Sequence, residues 1–404
     1  MPATNKDPTS WLTPQLFQKA LVQHTADRAL EVEDVHLALH GNAAQQYASI
    51  IYRATVSYRS RGKTESIKLI VKLTASKVNS ITDELSYDTE LAVYRDWVPK
   101  MEATPSDNDA KKFSPKLIYA ASEPQPYIIL EDLTSRQYGH KNNLLGTEDA
   151  KVVLIKLAQF HATSYSLGNN ASINNNRAAV SNGLFKQKPS EGVKFMLENF
   201  SIFADELAKW DGYGKYAERL RNIQPTFIER GVRIYDGAKN GCAISVLNHG
   251  DFHYNNMLFK IDNDHHVADV IFYDYQLSCW TTPAVDLLYF LYLVCDRETR
   301  ETKRAELVQL YHQEFTDTLS RVGFMGTAPT LLDINCDMLR AGFLELAIAV
   351  CFIPFLFADY NQAINVYSNE EDAKAYRRKL YNQEEFKDII RPLLIRFLHH
   401  GFLD

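Results

Sequence analysis

The sequence predicts an α+β chain in two parts, a small antiparallel sheet followed by a large helical region. Three observations predict it. Ile50, Tyr52, Ala54, Val56 and Tyr58 alternate with Ser49, Ile51, Arg53, Thr55 and Ser57; after the turn residues Ser60-Arg61-Gly62-Lys63, alternation resumes at Ile67, Leu69, Val71 and Leu73. From Thr147 onward, apolar residues recur mainly at helical spacing. Between Ala243 and Asp274 the pattern returns to short strands, with Asn263-Asp264 as the expected hairpin turn.

The elements follow in order. Thr13 and Pro14 form an N-cap and first-turn pair, with Leu16, Phe17, Ala20 and Leu21 at helical spacing, so residues 1–30 are expected to form a helical extension. Residues 31–130 are expected to form the sheet lobe. Lys72 falls on the opposite face of its strand from Ile67, Leu69, Val71 and Leu73. A helix is expected from Asp83 to Val98, carrying Glu90, and two short strands, Lys116 to Ala120 and Tyr127 to Leu130, precede Glu131-Asp132-Leu133. Residues 131–404 are expected to form the helical lobe. In it Thr147 is expected to cap a helix from Glu148 to about Leu167, Ser190 starts another to about Trp210, and a third runs to about Tyr235. The Asn-rich stretch Gly168 to Asn176 offers little apolar surface and is expected to be a mobile loop.

Composition narrows the functional classes. The chain has 404 residues, 46% hydrophobic and 23% charged, as an ordinary globular protein has, with a formal net charge of -6. Lys and Arg are scattered and form no stripe that could follow a phosphate backbone, so nucleic acid is not an expected partner. Five widely spaced cysteines, Cys242, Cys279, Cys295, Cys336 and Cys351, form no C-x-x-C pair, which suggests neither a disulfide framework nor a zinc site and fits a reducing compartment. The first residues lack the basic start and apolar run of a secretory signal, so a cytoplasmic location is expected. Ala341 to Ala358 is the most membrane-like segment. It contains Glu345 and Pro354, falls short of the ~20 apolar residues that span a bilayer, and reads as a buried core helix.

The chemistry is concentrated in Val246-Leu247-Asn248-His249-Gly250-Asp251-Phe252-His253-Tyr254-Asn255-Asn256, followed by the hairpin and Ile271-Phe272-Tyr273-Asp274-Tyr275-Gln276. An Asp five residues before an Asn, with a second Asp after two short strands, is the order in which kinases present a catalytic carboxylate and two metal ligands. Phosphoryl transfer needs an acceptor for the substrate hydroxyl proton, which Asp251 could supply. Magnesium prefers hard oxygen ligands, which the Asn256 amide and the Asp274 carboxylate could supply while phosphates and water complete the octahedron. His249 reads as a structural residue of the loop, and His253 could face an acceptor or only solvent. His265-His266, beside the hairpin turn, reads as a solvated pair and not a metal site.

HGDFHYNN at 249–256, VIFYDYQ at 270–276, TPAVDLLYFL at 282–291, YIILEDL at 127–133 and LAQFHA at 157–162 together resemble the ecdysteroid kinase-like family of insects, a branch of the choline and aminoglycoside kinase group. The resemblance covers most of the chain. It implies a two-lobed protein-kinase-like fold, ATP, magnesium and a small alcohol acceptor, with a steroid such as an ecdysteroid favoured. It implies that Lys72 grips the nucleotide phosphates, that Glu90 is its ion-pair partner, and that backbone groups of Glu131 and Leu133 bind adenine. It also implies that Asp286 is a buried carboxylate holding the catalytic-loop backbone. Two departures stand out: the segment Gly41 to Tyr47 has one glycine and no G-x-G-x-x-G, and the metal motif reads Asp274-Tyr275-Gln276, which excludes an ordinary protein kinase. A choline- or ethanolamine-type acceptor and a catalytically silent, ligand-binding pseudokinase remain alternatives. Phe343, Phe352, Phe355, Phe357 and Tyr360, with few acids among them, point to an apolar acceptor bound near that segment. The oligomeric state is not legible.

Overall fold

A computed structural model describes residues 9–40, 49–74, 85–104, 112–169, 177–180, 183–185, 190–237, 241–359, 368 and 370–404. The chain divides into two compact units, Met1–Tyr87 with Ser114–Tyr138, and Asp88–Phe113 with Gly139–Asp404. The glycine-poor segment Gly41 to Tyr47 and most of the Asn-rich stretch Gly168 to Asn176 lie outside the described residues.

The first unit is built on a five-stranded antiparallel sheet of β1 (Glu31–Leu39), β2 (Ser49–Ser60), β3 (Lys63–Thr74), β4 (Leu117–Ala121) and β5 (Tyr127–Glu131), in the order β1-β2-β3-β5-β4. The alternating residues of β2 and β3 pair in register, Tyr52 with Val71, Ala54 with Leu69 and Val56 with Ile67, so one face is apolar throughout. The turn between them closes with Arg61 and Gly62 both at positive φ (51° and 78°), the twist that lets a two-residue hairpin follow the sheet. Against the apolar face packs the leading helix Pro14–Thr25, through Phe17, Ala20 and Leu21. Thr13 caps it by accepting the Leu16 N–H.

The helix predicted from Asp83 is described from Leu85. It runs to Ala92, widens into a π turn over Val93–Trp97 and resumes over Val98–Glu102. Pro99 explains the irregularity, because it has no N–H to give to the carbonyl four residues back. Three other expectations are corrected. The helix at 147 begins with Thr147 itself after an uncapped Gly146, and the Thr147 hydroxyl bonds the Thr299 hydroxyl instead. The helix expected to run to Tyr235 is two helices, Gly214–Ile223 and Phe227–Tyr235, separated by a 3-10 turn at Gln224-Pro225-Thr226. The apolar segment 341–358 is a helix, Gly342–Cys351, followed by a separate 3-10 turn, Ile353–Phe357, since Pro354 again removes a donor.

Two helices, Ala284–Leu293 and Gly342–Cys351, are buried along their whole length. Among the described residues no single helix is long and apolar enough to cross a membrane; one pair bent by 57°, Leu331–Arg340 with Gly342–Phe357, passes by length and composition only. Glu345 sits inside this apolar segment at 1% exposure, and its charge is fully committed: it accepts from Tyr292 (2.6 Å) and Arg304 (2.8 and 3.1 Å), with Arg396 at 3.1 Å. Breaking such a buried cluster leaves charges uncompensated, so Glu345→Ala is expected to lower folding stability by about 3 kcal/mol. Urea denaturation reads this, and an unchanged midpoint would show the cluster to be energetically idle.

Candidate functional site

The loop after the strand Val246–Asn248 is fixed from below by one carboxylate. Asp286, in the first turn of the helix Ala284–Leu293, is fully buried and accepts the backbone N–H groups of His249 (2.6 Å) and Gly250 (2.9 Å). The Asn248 side chain closes the corner: its oxygen accepts the Asp286 N–H and its nitrogen donates to the carbonyls of Val246 and Thr281. On the far side His161 Nε2 lies 3.1 Å from the Asp286 carboxylate and His161 Nδ1 lies 2.8 Å from the Tyr311 hydroxyl. A carboxylate only accepts, so Nε2 donates to it, and Nδ1 shares the second bond with the Tyr311 hydroxyl. Gly250 permits the turn. Its φ is +84°, and a Cβ there would lie 1.9 Å from the Leu277 carbonyl oxygen.

The two halves of the motif are tied through Tyr273. His249 is 1% exposed and its Nε2–H donates to the Tyr273 carbonyl at 2.8 Å, while the Tyr273 N–H donates to the Asn256 carbonyl at 3.2 Å. Burial pushes the His249 imidazole below its usual range, against the opposing pull of Asp286, so the ring stays neutral and structural. These bonds set the residue before Asp274. Asp274 itself adopts a left-handed conformation, φ 69° and ψ 62°, which a non-glycine residue holds only where its surroundings impose it. Its N–H points to the hydroxyl of Tyr94, on the π turn.

Asp251 stands at the partly open end of the loop with 23% of its side chain exposed. Its carboxylate lies 3.2 Å from the Asn256 amide nitrogen and 3.4 Å from His253 Nε2. Desolvation pushes the Asp251 carboxyl up, but His253, His249 and the Asn256 amide together outweigh it and hold the group below the usual range. For His253, desolvation pulls down, and Asp251 with Asp274 overcomes it, raising the imidazole. The Asn256 nitrogen is occupied by the Asp251 carbonyl (3.0 Å) and carboxylate, which leaves the amide oxygen as the lone-pair atom that could face a cation. Asn256, His253, Asp251, His249 and Asp286 are therefore one connected group.

Glu90 belongs to the same unit and is buried; after burial itself, its charge is the main reason the Tyr94 hydroxyl is pushed well above its ordinary range. In the sheet unit, Lys72 is buried on β3 between Ile51 and Ile128 of the neighbouring strands. Glu131 ends β5, gives its N–H to Lys116 and pairs with Arg136, and Leu133 opens a 3-10 turn capped by Asp132, which also holds Arg53 at 2.6 Å. His265 and His266 both follow the Asn263-Asp264 turn, with His266 near Asp149, and no group of three potential metal-ligating His, Cys, Asp or Glu residues occurs among the described residues. Of the aromatic residues expected to line an acceptor site, Phe343 packs on Phe185 and Phe227, and Phe355 on Phe195 beside Tyr376 and Leu380. Those two are core. Phe352 and Phe357 are partly exposed, and Tyr360 lies outside the described residues.

The chain matches the ecdysteroid kinase-like family over residues 43–324, more than half its length. It belongs to that family. This ecdysteroid kinase-like protein is similar to solved structures of an ethanolamine kinase from Plasmodium vivax (12% identity, 88% of this chain and 83% of that chain, TM-score 0.41) and of a choline kinase from Cryptosporidium parvum Iowa II (12%, 92% and 91%, TM-score 0.44). It is also similar to APH(2″)-IIia in its complex with GDP and kanamycin (11%, 92% and 98%, TM-score 0.40). No curated protein matches it significantly. Family membership marks it as a small-molecule kinase-like phosphotransferase.

Reading the sequence did not assign His161, Tyr311, Asn248 or Tyr94. His161 lies in LAQFHA, a segment that carried the family resemblance without a role, and Asn248 directly precedes the loop, so both had a signal. Tyr311 and Tyr94 sit in ordinary helical patterns and had none. The group makes a direct expectation. Asp286→Ala leaves two buried backbone N–H groups and His161 without their acceptor, and should lower folding stability by about 3 kcal/mol in urea titration while cutting phosphotransfer. Full activity with an unchanged midpoint would contradict the role of Asp286 in holding the loop.

Proposed function

We propose that this ecdysteroid kinase-like protein is an ATP-dependent kinase that phosphorylates a hydroxyl of a small, largely apolar molecule such as an ecdysteroid. The observation that carries the reading is the Asp251 carboxylate, held at the open end of a clamped loop by His253 and the Asn256 amide. The acceptor oxygen forms the new bond to the γ-phosphorus, its proton passes to Asp251, and ADP is the leaving group. Lys72 would hold the nucleotide phosphates, Glu90 would orient that lysine, and backbone groups of Glu131 and Leu133 would bind the adenine.

The donor set fits magnesium. Asn256 keeps its amide oxygen and Asp274 brings a carboxylate, both hard oxygens, and a metal that retains phosphate and water ligands needs no larger protein cluster. When bound, the ion would neutralise charge on the triphosphate. Asn256 would then serve twice, its nitrogen fixing Asp251 and its oxygen facing the metal.

An apolar acceptor is favoured over a quaternary ammonium because, of the two acids between Phe343 and Tyr360, Glu345 is already neutralised by Arg304 and Arg396 and Asp359 is exposed. Asp251→Asn is expected to lower kcat at least about a hundredfold while leaving ATP-magnesium affinity nearly unchanged, because the carboxylate acts on the hydroxyl and not on the nucleotide. An active variant would remove Asp251 from the mechanism. ATP with magnesium should raise the thermal midpoint of the wild type, an effect of about 2.7 kcal/mol at a hundredfold the dissociation constant. Lys72→Ala and Asp274→Asn should each shrink that shift. Absence of any shift at millimolar ATP would favour a binding protein that does not use nucleotide.

A further inference from the structure

Trp280 is a meeting point inside the helical unit. It lies on the short strand Cys279–Thr281, where it pairs with Leu247, and the residues before it touch the catalytic loop directly. The Ser278 hydroxyl donates to the His249 carbonyl at 3.1 Å, and the Leu277 carbonyl closes on Gly250. One neighbour of the Trp280 indole is Trp97, fully buried on the π turn and stacked with 5.3 Å between ring centroids and 27° between planes. A second is the guanidinium of Arg177, 4.6 Å from the ring centroid. The third is the end of the helix Thr147–Gly168, where a Cβ on Gly168 would lie 2.0 Å from the ring, so that approach requires glycine.

Two of these neighbours lead to the same helix. Trp97 follows Tyr94 by three residues on the π turn, Tyr94 takes the N–H of Asp274, and the helix before the turn carries Glu90. Arg177 precedes the 3-10 turn Ala178–Val180, in which the Ala179 carbonyl accepts the hydroxyl of Thr89, the buried neighbour of Glu90, at 3.0 Å. Residues 177–179 therefore bridge the Glu90 helix and the strand that steadies His249. The Arg177 Nε is buried with no hydrogen-bond partner, so this nitrogen is fixed by packing on the indole and not by an acceptor. Tryptophan is the ring that holds a cation best. The π turn is itself a local irregularity of the kind that recurs at functional sites.

We propose that Arg177 is a positioning residue for phosphoryl transfer: seated on Trp280 while Ala179 holds Thr89, it fixes the helix of Glu90 and Tyr94 against the catalytic loop. It acts through those residues and not on a substrate. The inference rests on the kinase reading above and adds to it a residue that lies outside both halves of the motif.

Arg177→Met keeps the aliphatic stem and removes the charge, and Thr89→Val removes the second tie while keeping the shape. Each should weaken ATP-magnesium binding in calorimetric titration about fivefold, the size of one partly exposed cation–π contact or one hydrogen bond. Arg177→Lys keeps a cation without the planar group and should lose only about twofold. Amide hydrogen exchange over residues 88–102 should quicken about fivefold in the first two variants, while the thermal midpoint without ligand holds within about two degrees. Wild-type affinity or wild-type exchange in Arg177→Met would overturn the role. So would a loss in Arg177→Lys equal to that in Arg177→Met, or a midpoint lowered by several degrees, which would make Arg177 a residue of general stability. If the wild type binds no ATP, the kinase reading fails separately and exchange over residues 88–102 decides the positioning: quickened in Arg177→Met and largely recovered in Arg177→Lys upholds it, and unchanged exchange overturns it.

Discussion

The rest of the site depends on a single buried carboxylate. Asp286 has no solvent to stabilise it, so each oxygen must be matched by a protein donor, and the donors it takes are the N–H groups of His249 and Gly250 and the imidazole of His161. That need fixes the path of the loop. Because the acceptor sits in the first turn of a helix, where free N–H groups also favour negative charge, its position is tied to a rigid element. Gly250 is the complementary constraint, since the turn the carboxylate demands brings the backbone too close to Leu277 for any side chain.

From this anchor the geometry is passed on by main-chain bonds. His249 holds the Tyr273 carbonyl and Asn256 receives the Tyr273 N–H, so residues separated by the whole hairpin are fixed to one another. Asp274 follows directly and is held in a conformation its side chain does not favour. The clamped loop then presents Asp251, whose charge is kept by His253 and by an amide that also belongs to the loop. Preorganisation of this kind is what a reaction that relies on positioning and electrostatics requires.

Away from the loop, the helical unit meets a different demand. It buries long aromatic and aliphatic helices and must neutralise the few charges they carry, as Glu345 does with Arg304, Arg396 and Tyr292. Phe343 and Phe355 are consumed by this packing, whereas Phe352 stays partly open beside Tyr289. A stripe of aromatic residues on a helix therefore divides into core and surface, and only the partners decide which is which.

The kind of most elements and the local order of the loop were legible along the chain. Period-two alternation specified the β2–β3 register, and the spacing of Asp251, Asn256 and Asp274 around a hairpin was readable, because these are properties of neighbouring residues. Helix ends were less legible: Pro225 and Pro354 interrupted helices that periodicity alone would have continued, since a missing donor acts locally against a favourable apolar face, whereas the helix expected to end at Val98 runs on past Pro99 to Glu102. That His161 and Tyr311 stand behind Asp286 and that Tyr94 reaches Asp274 is visible only in the folded chain. These contacts join residues up to 180 positions apart, and hydrogen-bond satisfaction in a buried site is a property of the folded neighbourhood that no spacing along the chain encodes.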